Sequence, residues 1–466
     1  MPTPLTTLLR DSRALATLAV PLALTQLAQV ALTTTDTVMM GLMGAEALAG
    51  GGLALVVFNQ LRTMGVGMVT AVGNQVSAAS AHAEDEDLTD AAREEVRDIV
   101  RAALALATLS GVVGALVILL IGQVVGFLGQ DPEVVDRAWP VLLALAPGQI
   151  PCLWFQAIRQ FTVGMRRPQA LLRITIASVA VNAALNWGLV HGTWILPDLG
   201  LPGIGVATSL VYALTCLALY ASARRDPKLA PLLDIRIWKA RPATLRRLTG
   251  LGVPIAATYG SEAGFFSVVA LIIGTFGIAA LAAHTAVNQL IYIVFQIAVG
   301  LSHAASLNVS RELALDRIVA ARRIKNTALA CAAAVMAVVG VVYLTVPGLV
   351  LRPFLDPSAA EGNSATDIAT KLLLVATVLQ FFDCAQNIGV GLLRGLDDTK
   401  SGFRITLVGY WLIGLPAAWL FGEIADLKTV GVWLGLLTGL AATALLLLRR
   451  YNRALGHRAA GIPAVA

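Results

Sequence analysis

The sequence predicts an all-α integral membrane protein with twelve transmembrane helices, arranged as two pseudo-symmetric six-helix bundles that are parallel repeats. Of the 466 residues, 57% are hydrophobic and only 13% are charged, and the mean hydropathy is +0.77. A soluble domain carries about 25% charged residues, so this composition indicates a polytopic membrane protein. An internal duplication with an even number of spans in each half predicts that both halves enter the membrane from the same side.

Each predicted span is a mainly apolar stretch of about 20 residues or more, which is the length needed to cross the hydrocarbon core of a bilayer. Arg10 and Arg13 precede the first span, which is too long for a signal-peptide core and has no small-residue cleavage site. We therefore expect the first span to remain as an anchor. The predicted spans are residues 15–41, 50–80, 99–128, 137–160, 170–191, 203–222, 249–276, 280–308, 326–351, 370–393, 403–423 and 429–448.

Basic residues fall in alternate loops, as the positive-inside rule requires of cytoplasmic loops. The loop after span 6 is the richest and contains Arg224, Arg225, Lys228, Arg236, Lys239, Arg241, Arg246 and Arg247. The loops on the other side hold only Arg137, Arg352, Lys371 and Lys428. We expect both termini to be cytoplasmic, and the net charge of +6 to reflect topology rather than a nucleic-acid partner.

The two halves of the chain are copies of one another. Residues 18–54 align without a gap on residues 251–287, at a constant offset of 233. The matched pairs include Pro21 with Pro254, Gly44 with Gly277, and Ala47-Leu48-Ala49 with Ala280-Leu281-Ala282. We predict an N-terminal six-helix lobe at 1–223, a cytoplasmic linker at 224–247 and a C-terminal six-helix lobe at 248–466.

Three local predictions follow from sequence chemistry. Pro21 and Pro254, inside spans 1 and 7, are the best candidates for helix kinks. Residues 232–247 of the linker predict an amphipathic helix on the cytoplasmic surface. The acidic run Glu84–Asp87 predicts a solvated loop rather than a metal site.

Three carboxylates lie inside the apolar spans: Asp36, Glu262 and Asp383. Insertion of a charged residue at the centre of a membrane helix costs about 2.5–3.5 kcal/mol, so such residues usually mark ion or substrate pathways. Spacing from flanking basic residues predicts that Glu262 and Asp383 lie near the bilayer midplane. Asp36 is predicted to lie about two helical turns from the outer end of span 1.

The duplication did not copy these acids. Under the repeat alignment, Glu262 lies opposite Gln29, and Asp36 lies opposite Val269. Asp383 lies opposite Cys152 or a neighbouring residue. A carboxylate required by the fold would be expected in both halves, so the asymmetry favours a functional role over a structural one.

Amide side chains accompany each acid. Asn387 is four residues beyond Asp383 and so lies on the same helix face, and Asn288 and Gln289 on span 8 are candidates to join Glu262. In the N-terminal half, Asn182 and Asn186 form an i, i+4 pair on span 5 that can face Asp36. Hydrogen bonding between helices remains the alternative role for these five amides.

Cysteine and histidine give no metal or redox motif. Cys152, Cys216, Cys331 and Cys384 occur one each in four spans, which predicts packing residues rather than disulfides. His284 and His303 lie within spans, where we expect them to hydrogen-bond across helices rather than bind a ligand.

The chain resembles the multidrug and toxic compound extrusion (MATE) transporters, most closely the bacterial NorM-like branch, over nearly its whole length. The matching pieces are Asp36-Thr37-Val38-Met39 in span 1, Glu262 before Phe265–Ile273 in span 7, Ala282-Ala283-His284 leading to Asn288 in span 8, and Phe382-Asp383 running to Leu393-Arg394-Gly395-Leu396-Asp397-Asp398-Thr399 in span 10.

This resemblance implies secondary active efflux of amphipathic organic cations, such as drugs and dyes, in exchange for Na⁺ and/or H⁺ by alternating access. It implies that Glu262 and Asp383 form a cation site, with Na⁺ as a candidate ligand, and that Asp36, Asn182 and Asn186 serve protons and substrate. Some relatives have a tyrosine four residues before the span-10 acid, where this chain has Leu379.

The resemblance also implies a monomer in the bacterial inner membrane, with membrane lipids and small cationic molecules as partners and no cofactor besides the coupling ion. A desolvated carboxylate holds a proton more readily than one in water, whereas bound Na⁺ keeps it ionised. Either cation neutralises the site, so Na⁺ and H⁺ are both candidates for the coupling ion.

Other functional classes fit the residues less well. A lipid-linked oligosaccharide flippase of the same superfamily would have a more cationic cavity, and here only Arg62 and Arg159 are deep basic candidates. An intramembrane enzyme needs a nucleophile–base set or a metal triad, and a passive channel does not need a duplicated body with deep acids. A Gly-rich phosphate loop followed by Lys-Ser/Thr is absent from the sequence, which excludes nucleotide-driven transport by this chain.

Overall fold

The structure, a computed structural model, describes residues 4–81, 88–124, 126, 132–193, 196–355 and 362–460, and within them the regular structure is entirely helical. The twelve helices long and apolar enough to span a membrane are α1 (Arg10–Leu42), α2 (Ala45–Ala79), α3 (Asp90–Val124), α4 (Pro132–Gly164), α5 (Gln169–His191), α6 (Pro202–Arg225), α7 (Pro242–Gly274), α8 (Ile278–Ala314), α9 (Ile318–Thr345), α10 (Ser364–Gly395), α11 (Thr399–Ile424) and α12 (Lys428–Ala459).

Each predicted span corresponds to one of these helices, so the predicted all-α membrane fold is confirmed. Several helices extend beyond the predicted apolar stretches, because helical hydrogen bonding continues into the polar segments at their ends. Pro21 and Pro254 both lie inside continuous helices. The predicted solvated loop at Glu84–Asp87 lies outside the described residues.

The sequence duplication is visible in the backbone. Gly44 before α2 and Gly277 before α8, which are 233 residues apart, have φ of 114° and 109°, a conformation that side chains with a Cβ atom disfavour. Arg166 after α4 and Asp397 after α10 have φ of 59° and 62°. The two halves thus make the same turns at corresponding places.

By its internal contacts the chain forms two compact units, one made of Leu24–Tyr259 and the other of Met1–Ala23 with Gly260–Ala466. We call them the N-terminal and the C-terminal unit. Their boundaries fall inside α1 and α7, shortly after the two equivalent prolines. The predicted lobes at 1–223 and 248–466 follow the sequence repeat, whereas these units follow contacts, so the lobe boundaries stay a prediction.

The N-terminal unit packs its helices through a continuous apolar core. Met40, Phe58, Leu142 and Ile204, from α1, α2, α4 and α6, are almost fully buried in one cluster. In lipid, helices gain little from the hydrophobic effect, so close contact through small residues matters more. Glycines in α2 and α7 accordingly let the backbones of these two helices touch.

The C-terminal unit shows the same close packing. A Cβ atom added to Gly300 of α8 would lie 2.6 Å from the backbone nitrogen of Ala23, and one added to Gly439 of α12 would lie 2.7 Å from the Cα of Gly414. The helix α11 contains two π-helical turns, at Val408–Gly414 and Leu420–Ile424. Such turns are rare in proteins as a whole, but they occur frequently at functional sites.

The predicted amphipathic helix at 232–247 is wrong. Residues 232–241 contain a single 3₁₀ turn at Ile237–Lys239, and α7 begins at Pro242. The backbone N–H of Arg236 donates to the carboxylate of Asp234 at 3.0 Å, a local hydrogen bond that competes with helix formation. Pro242 has the fixed φ that suits the first helical position.

Arg101 of α3 holds the linker to the N-terminal unit. Its guanidinium is buried and binds Asp234 of the linker at 2.7 Å and Glu94 at 2.8 Å. Hydrogen bonds from Arg236 and Arg101 hold the pKa of Asp234 well below its ordinary value, against the effect of burial. This stabilisation is therefore complete above the pKa of Asp in an unfolded chain and is lost as the pH falls below it.

Asp98, one turn earlier on α3, fixes the start of α7. The carboxylate of Asp98 accepts a hydrogen bond from the backbone N–H of Arg241 at 2.9 Å and another from the hydroxyl of Thr244. Its side chain is buried, so both donors would lose their partner if the carboxylate were removed. The contact links the linker, α3 and the first turn of α7 in one polar network.

Replacement of Asp98 by alanine should destabilise the protein by about 1–2 kcal/mol, because a backbone N–H at a helix start and a hydroxyl lose their acceptor. The matched control is Glu95→Ala on the same helix, where the side chain is exposed and has no described partner. The melting temperature of the purified protein in detergent measures the effect. Equal melting temperatures for the two variants would contradict the role given to Asp98.

Candidate functional site

Asp36 is the centre of a polar cluster inside the N-terminal unit. It lies on α1 six residues before Leu42 and is fully buried. The Nδ2 atoms of Asn182 and Asn186 donate to its Oδ1 at 2.7 and 2.8 Å, and the hydroxyl of Thr208 donates to its Oδ2 at 2.9 Å. The carboxylate is thus held by three neutral donors from two other helices.

The helical repeat explains why two asparagines reach one carboxylate oxygen. Asn182 and Asn186 are four residues apart on α5, so their side chains project from the same face. Thr208 comes from α6 and was not singled out in the sequence. A single threonine in an apolar span usually bonds its own helix, and only the packing of α6 brings this one to Asp36.

In each amide group beside Asp36, the nitrogen is hydrogen-bonded and the oxygen has no described partner. Because each Nδ2 donates to Asp36, the carbonyl oxygens of Asn182 and Asn186 point elsewhere, and both are buried with no hydrogen-bond donor in the described part of the chain. A buried acceptor without a donor is costly. The site therefore offers two carbonyl oxygens that a cation or a proton donor can satisfy.

Glu262 and Asp383 form the second polar cluster, within the C-terminal unit. Glu262 lies on α7 and is partly buried, and Asp383 lies on α10 and is 7% exposed. The two carboxylates interact electrostatically with each other. Among the described residues, neither acid has a Lys, Arg or His partner, and Asp383 accepts no hydrogen bond.

Tyr410 of α11 completes this cluster and was not predicted from the sequence. Its hydroxyl donates to Oε1 of Glu262 at 3.3 Å, and it interacts electrostatically with both acids. Its ring stacks on Phe265, with centroids 4.9 Å apart and planes 8° from parallel. The side chain of Leu379 on α10 is buried and apolar, and the hydroxyl beside Glu262 comes from Tyr410 on another helix.

The π-helical turn of α11 positions two consecutive aromatic residues against α7. Trp411, next to Tyr410, donates from its indole nitrogen to the hydroxyl of Ser261 at 2.8 Å, beside Glu262. Both aromatic residues lie in the turn at Val408–Gly414. A change from α- to π-helical hydrogen bonding cannot be read from residue spacing, so this contact could not be predicted from the sequence.

The remaining predicted neighbours do not bond the acids. Asn288 and Gln289 on α8 are partly buried, and their side chains have no hydrogen bond with described residues. For Asn387, the described hydrogen bond is at its backbone oxygen, which accepts from the hydroxyl of Ser302 at 2.7 Å. Asn387 shares the α10 face with Asp383 by helical spacing, but no contact places it, Asn288 or Gln289 in the cluster.

His284 hydrogen-bonds across helices, as the sequence predicts. The indole nitrogen of Trp433 on α12 lies 3.2 Å from Nδ1 of His284. An indole N–H can only donate, so Nδ1 accepts and the imidazole is neutral with its proton on Nε2. Within the described residues no group of three His, Cys, Asp or Glu side chains could hold a metal ion, and the four cysteines are free thiols.

The deep basic side chains are bonded to neutral amides. Nε of Arg62 donates to Oδ1 of Asn59 at 3.2 Å, and Nη1 of Arg159 donates to Oε1 of Gln156 at 3.0 Å. Both arginines lie in the N-terminal unit. In the C-terminal unit, Glu262 and Asp383 have no basic side chain bonded to them among the described residues.

The family model described as MatE matches residues 21–188 and 254–420 of this chain. The two matches begin at Pro21 and Pro254, and they cover both copies of the repeat. Among curated relatives, a protein from Pseudomonas aeruginosa named "Probable multidrug resistance protein NorM" is 35% identical over 436 residues, which cover 93% of this chain and 88% of that protein. A relative of the same name from Burkholderia mallei is 33% identical, with 97% and 96% covered.

Solved structures share the fold. A crystal structure of the eukaryotic MATE transporter AtDTX14 has a TM-score of 0.79 at 20% identity and covers 97% of this chain and 99% of that chain. A structure of a multidrug resistance MATE family transporter in an outward-facing conformation has a TM-score of 0.85 at 16% identity, with 98% and 99% covered. With a family model that matches both halves and relatives at about one-third identity over nearly the whole length, this chain belongs to the multidrug and toxic compound extrusion (MATE) family.

Proposed function

We propose that this protein is a secondary active transporter that exports amphipathic organic cations in exchange for Na⁺ and/or H⁺. The observation that carries the proposal is the pair Glu262 and Asp383, two interacting carboxylates with no cationic partner among the described residues. Two unneutralised carboxylates inside a membrane protein are strongly disfavoured. A cation or a proton must therefore occupy the site during much of the cycle.

The oxygen atoms around Glu262 suit a hard monovalent cation. The two carboxylates and the hydroxyl of Tyr410 are oxygen donors from three different helices, α7, α10 and α11. A bound Na⁺ would draw these helices together, whereas protons would neutralise the carboxylates individually. Either event changes the electrostatic energy of the helix packing and so provides a coupling step.

Asp36, in the N-terminal unit, is the second site at which a proton or a cation can bind. Its carboxylate is held by neutral donors alone, so its negative charge persists unless a proton or a cationic group neutralises it. The free carbonyl oxygens of Asn182 and Asn186 add acceptors next to this charge. We assign the site to protons or to the ammonium group of a substrate.

The relatives support the substrate class and the location. Proteins named for multidrug resistance match this chain over nearly its whole length, and MATE family membership makes it a transporter rather than an enzyme. We assign it to the inner membrane of a bacterium, with both termini cytoplasmic, because basic residues mark the loops on that side. We further expect it to act as a monomer whose partners are cationic drugs or dyes and membrane lipids.

Glu262→Gln and Asp383→Asn should each reduce gradient-driven efflux at least about tenfold, because a neutral amide cannot alternate between ionised and cation-neutralised states. Efflux of a cationic dye from proteoliposomes, with Na⁺ and pH gradients imposed separately, measures the effect and identifies the coupling ion. Glu423→Gln, at the predicted outer end of α11, is the matched control and should transport normally. Normal efflux by either site variant at equal protein level would refute the cation site.

Tyr410→Phe should weaken the apparent affinity for the coupling cation about 5–30-fold, which corresponds to the loss of one hydrogen bond worth about 1–2 kcal/mol. The ring and its stacking on Phe265 are kept. Tyr343→Phe is the control, since the Tyr343 hydroxyl is also buried in the C-terminal unit but has no described partner. The cation concentration for half-maximal efflux should change in the first variant alone, and a similar change in both would remove Tyr410 from the site.

Thr208→Val should impair transport more than Thr208→Ser, because only serine keeps the hydroxyl that donates to Asp36. We expect about a fivefold or greater loss of efflux rate for valine and less than about twofold for serine, from the energy of one hydrogen bond to a charged group. Equal activity of the two Thr208 variants would show that this contact plays no part in transport.

Asp36→Asn should show a larger loss of efflux rate for cationic than for uncharged substrates.

A further inference from the structure

Two large apolar side chains of the cytoplasmic linker point away from the protein. Trp238 is 75% exposed and Ile235 is 42% exposed. The other large apolar residues nearby behave differently, since Leu229, Leu232 and Leu233 are buried. The linker therefore covers the N-terminal unit with its leucines and presents Ile235 and Trp238 outward.

These two residues are held in place and do not belong to a loose loop. Asp234, which directly precedes Ile235, is bound by Arg101 of α3 and by Arg236. Three residues after Trp238, the backbone N–H of Arg241 donates to Asp98 of α3. Fixed points on both sides thus hold the 3₁₀ turn at Ile237–Lys239 in one orientation, although its tryptophan makes little contact with the rest of the unit.

The surroundings of Trp238 are positively charged. Residues 226–247 contain six basic and two acidic side chains, an excess of four positive charges. Both acids are already neutralised, Asp226 by Arg167 and Asp234 by Arg101 and Arg236. The exposed Lys239 and Arg241 follow the tryptophan, with no acidic side chain paired to them among the described residues.

The position along the chain places this surface on the approach to the membrane. Trp238 is four residues before Pro242, the first residue of α7, and eleven residues before residue 249, where the apolar part of that helix begins. Tryptophan is enriched at the level of lipid headgroups, where its ring is partly apolar and its N–H is solvated. Basic residues on the cytoplasmic side are attracted to anionic lipids, at about 1 kcal/mol for each residue near the surface.

We propose that Ile235 and Trp238 insert into the headgroup region of the cytoplasmic leaflet, and that Lys239 and Arg241 bind the phosphates of anionic phospholipids there. The linker is then a lipid-bound strap, attached on one side to α3 through Arg101 and Asp98 and on the other to the bilayer. Water-exposed tryptophan is unfavourable, and a lipid interface next to α7 is the environment that accommodates both its ring and the adjacent positive charges.

Site-directed spin labelling of the full-length protein in vesicles tests the insertion. A nitroxide is attached at Trp238→Cys in a Cys331→Ala background, the other three cysteines being buried. In phosphatidylcholine vesicles with phosphatidylglycerol, we expect the ratio of oxygen to Ni(II)-chelate collisions to be at least about threefold higher than for a label at His457, because oxygen concentrates in lipid and the chelate in water. His457 is exposed and lies near the end of α12.

The dependence of the collision ratio on lipid charge tests which class of lipid the linker binds. Raising the fraction of phosphatidylglycerol should increase the collision ratio at residue 238, and Lys239→Gln with Arg241→Gln should abolish this increase. Arg241 anchors the strap through its backbone N–H, so the substitution leaves that contact intact. Arg453→Gln, which removes an exposed charge on α12, is the control and should leave the increase unchanged. Inorganic phosphate added to neutral vesicles should have no effect.

A second measurement avoids the label. The fluorescence of Trp238 is the difference between the unmodified protein and the Trp238→Phe variant. It should be quenched by brominated phosphatidylglycerol but not by aqueous iodide. The proposal is overturned if residue 238 collides with the Ni(II) chelate as often as residue 457 does in anionic vesicles, or if iodide quenches the Trp238 fluorescence more strongly than the brominated lipid does. Dependence on phosphatidylglycerol that survives loss of both basic residues would also overturn it.

Discussion

Each unit of this protein removes carboxyl groups from water, at a cost in hydration free energy that the surrounding residues must offset. A charged group in the apolar interior of a membrane protein is tolerated only when hydrogen bonds, an opposite charge or a bound cation compensate for lost hydration. Asp36 receives three hydrogen bonds from neutral groups, whereas Asp383 receives none from described residues. The two units thus differ: the carboxyl group of Asp36 has three neutral hydrogen-bond donors, whereas that of Asp383 has none among the described residues.

The packing of the helices positions the polar groups of these two clusters. Because lipid provides little hydrophobic force between helices, contact depends on small residues that let backbones approach closely. Gly439 and Gly414 bring α12 and α11 together beside the π-helical turn that holds Tyr410. A bulkier residue at either glycine would displace α11 and so move the Tyr410 hydroxyl away from Glu262, although neither glycine touches that hydrogen bond.

Outside the membrane the same rule of charge compensation holds the linker. Arg101 and Asp98 lie on α3, where the carboxylate of Asp234 and the first residues of α7 meet them. The start of α7 is thereby attached to the N-terminal unit, while Glu262, 20 residues further along the same helix, belongs to the C-terminal unit.

The twelve spans, the duplication and the three unusual acids could be predicted from the sequence, because hydrophobic length, repeat offset and isolated charge are local properties of the chain. It also indicated that Asn182 and Asn186 face one direction, since helical periodicity fixes that relation. Three features appear only once the helices are packed. Thr208 joins Asp36, and Tyr410 rather than a residue near Leu379 joins Glu262. The linker forms a single 3₁₀ turn with Trp238 outward instead of a helix. Each of these depends on a contact between elements far apart in the chain, or on a hydrogen bond such as that of Asp234, which spacing and hydropathy do not encode.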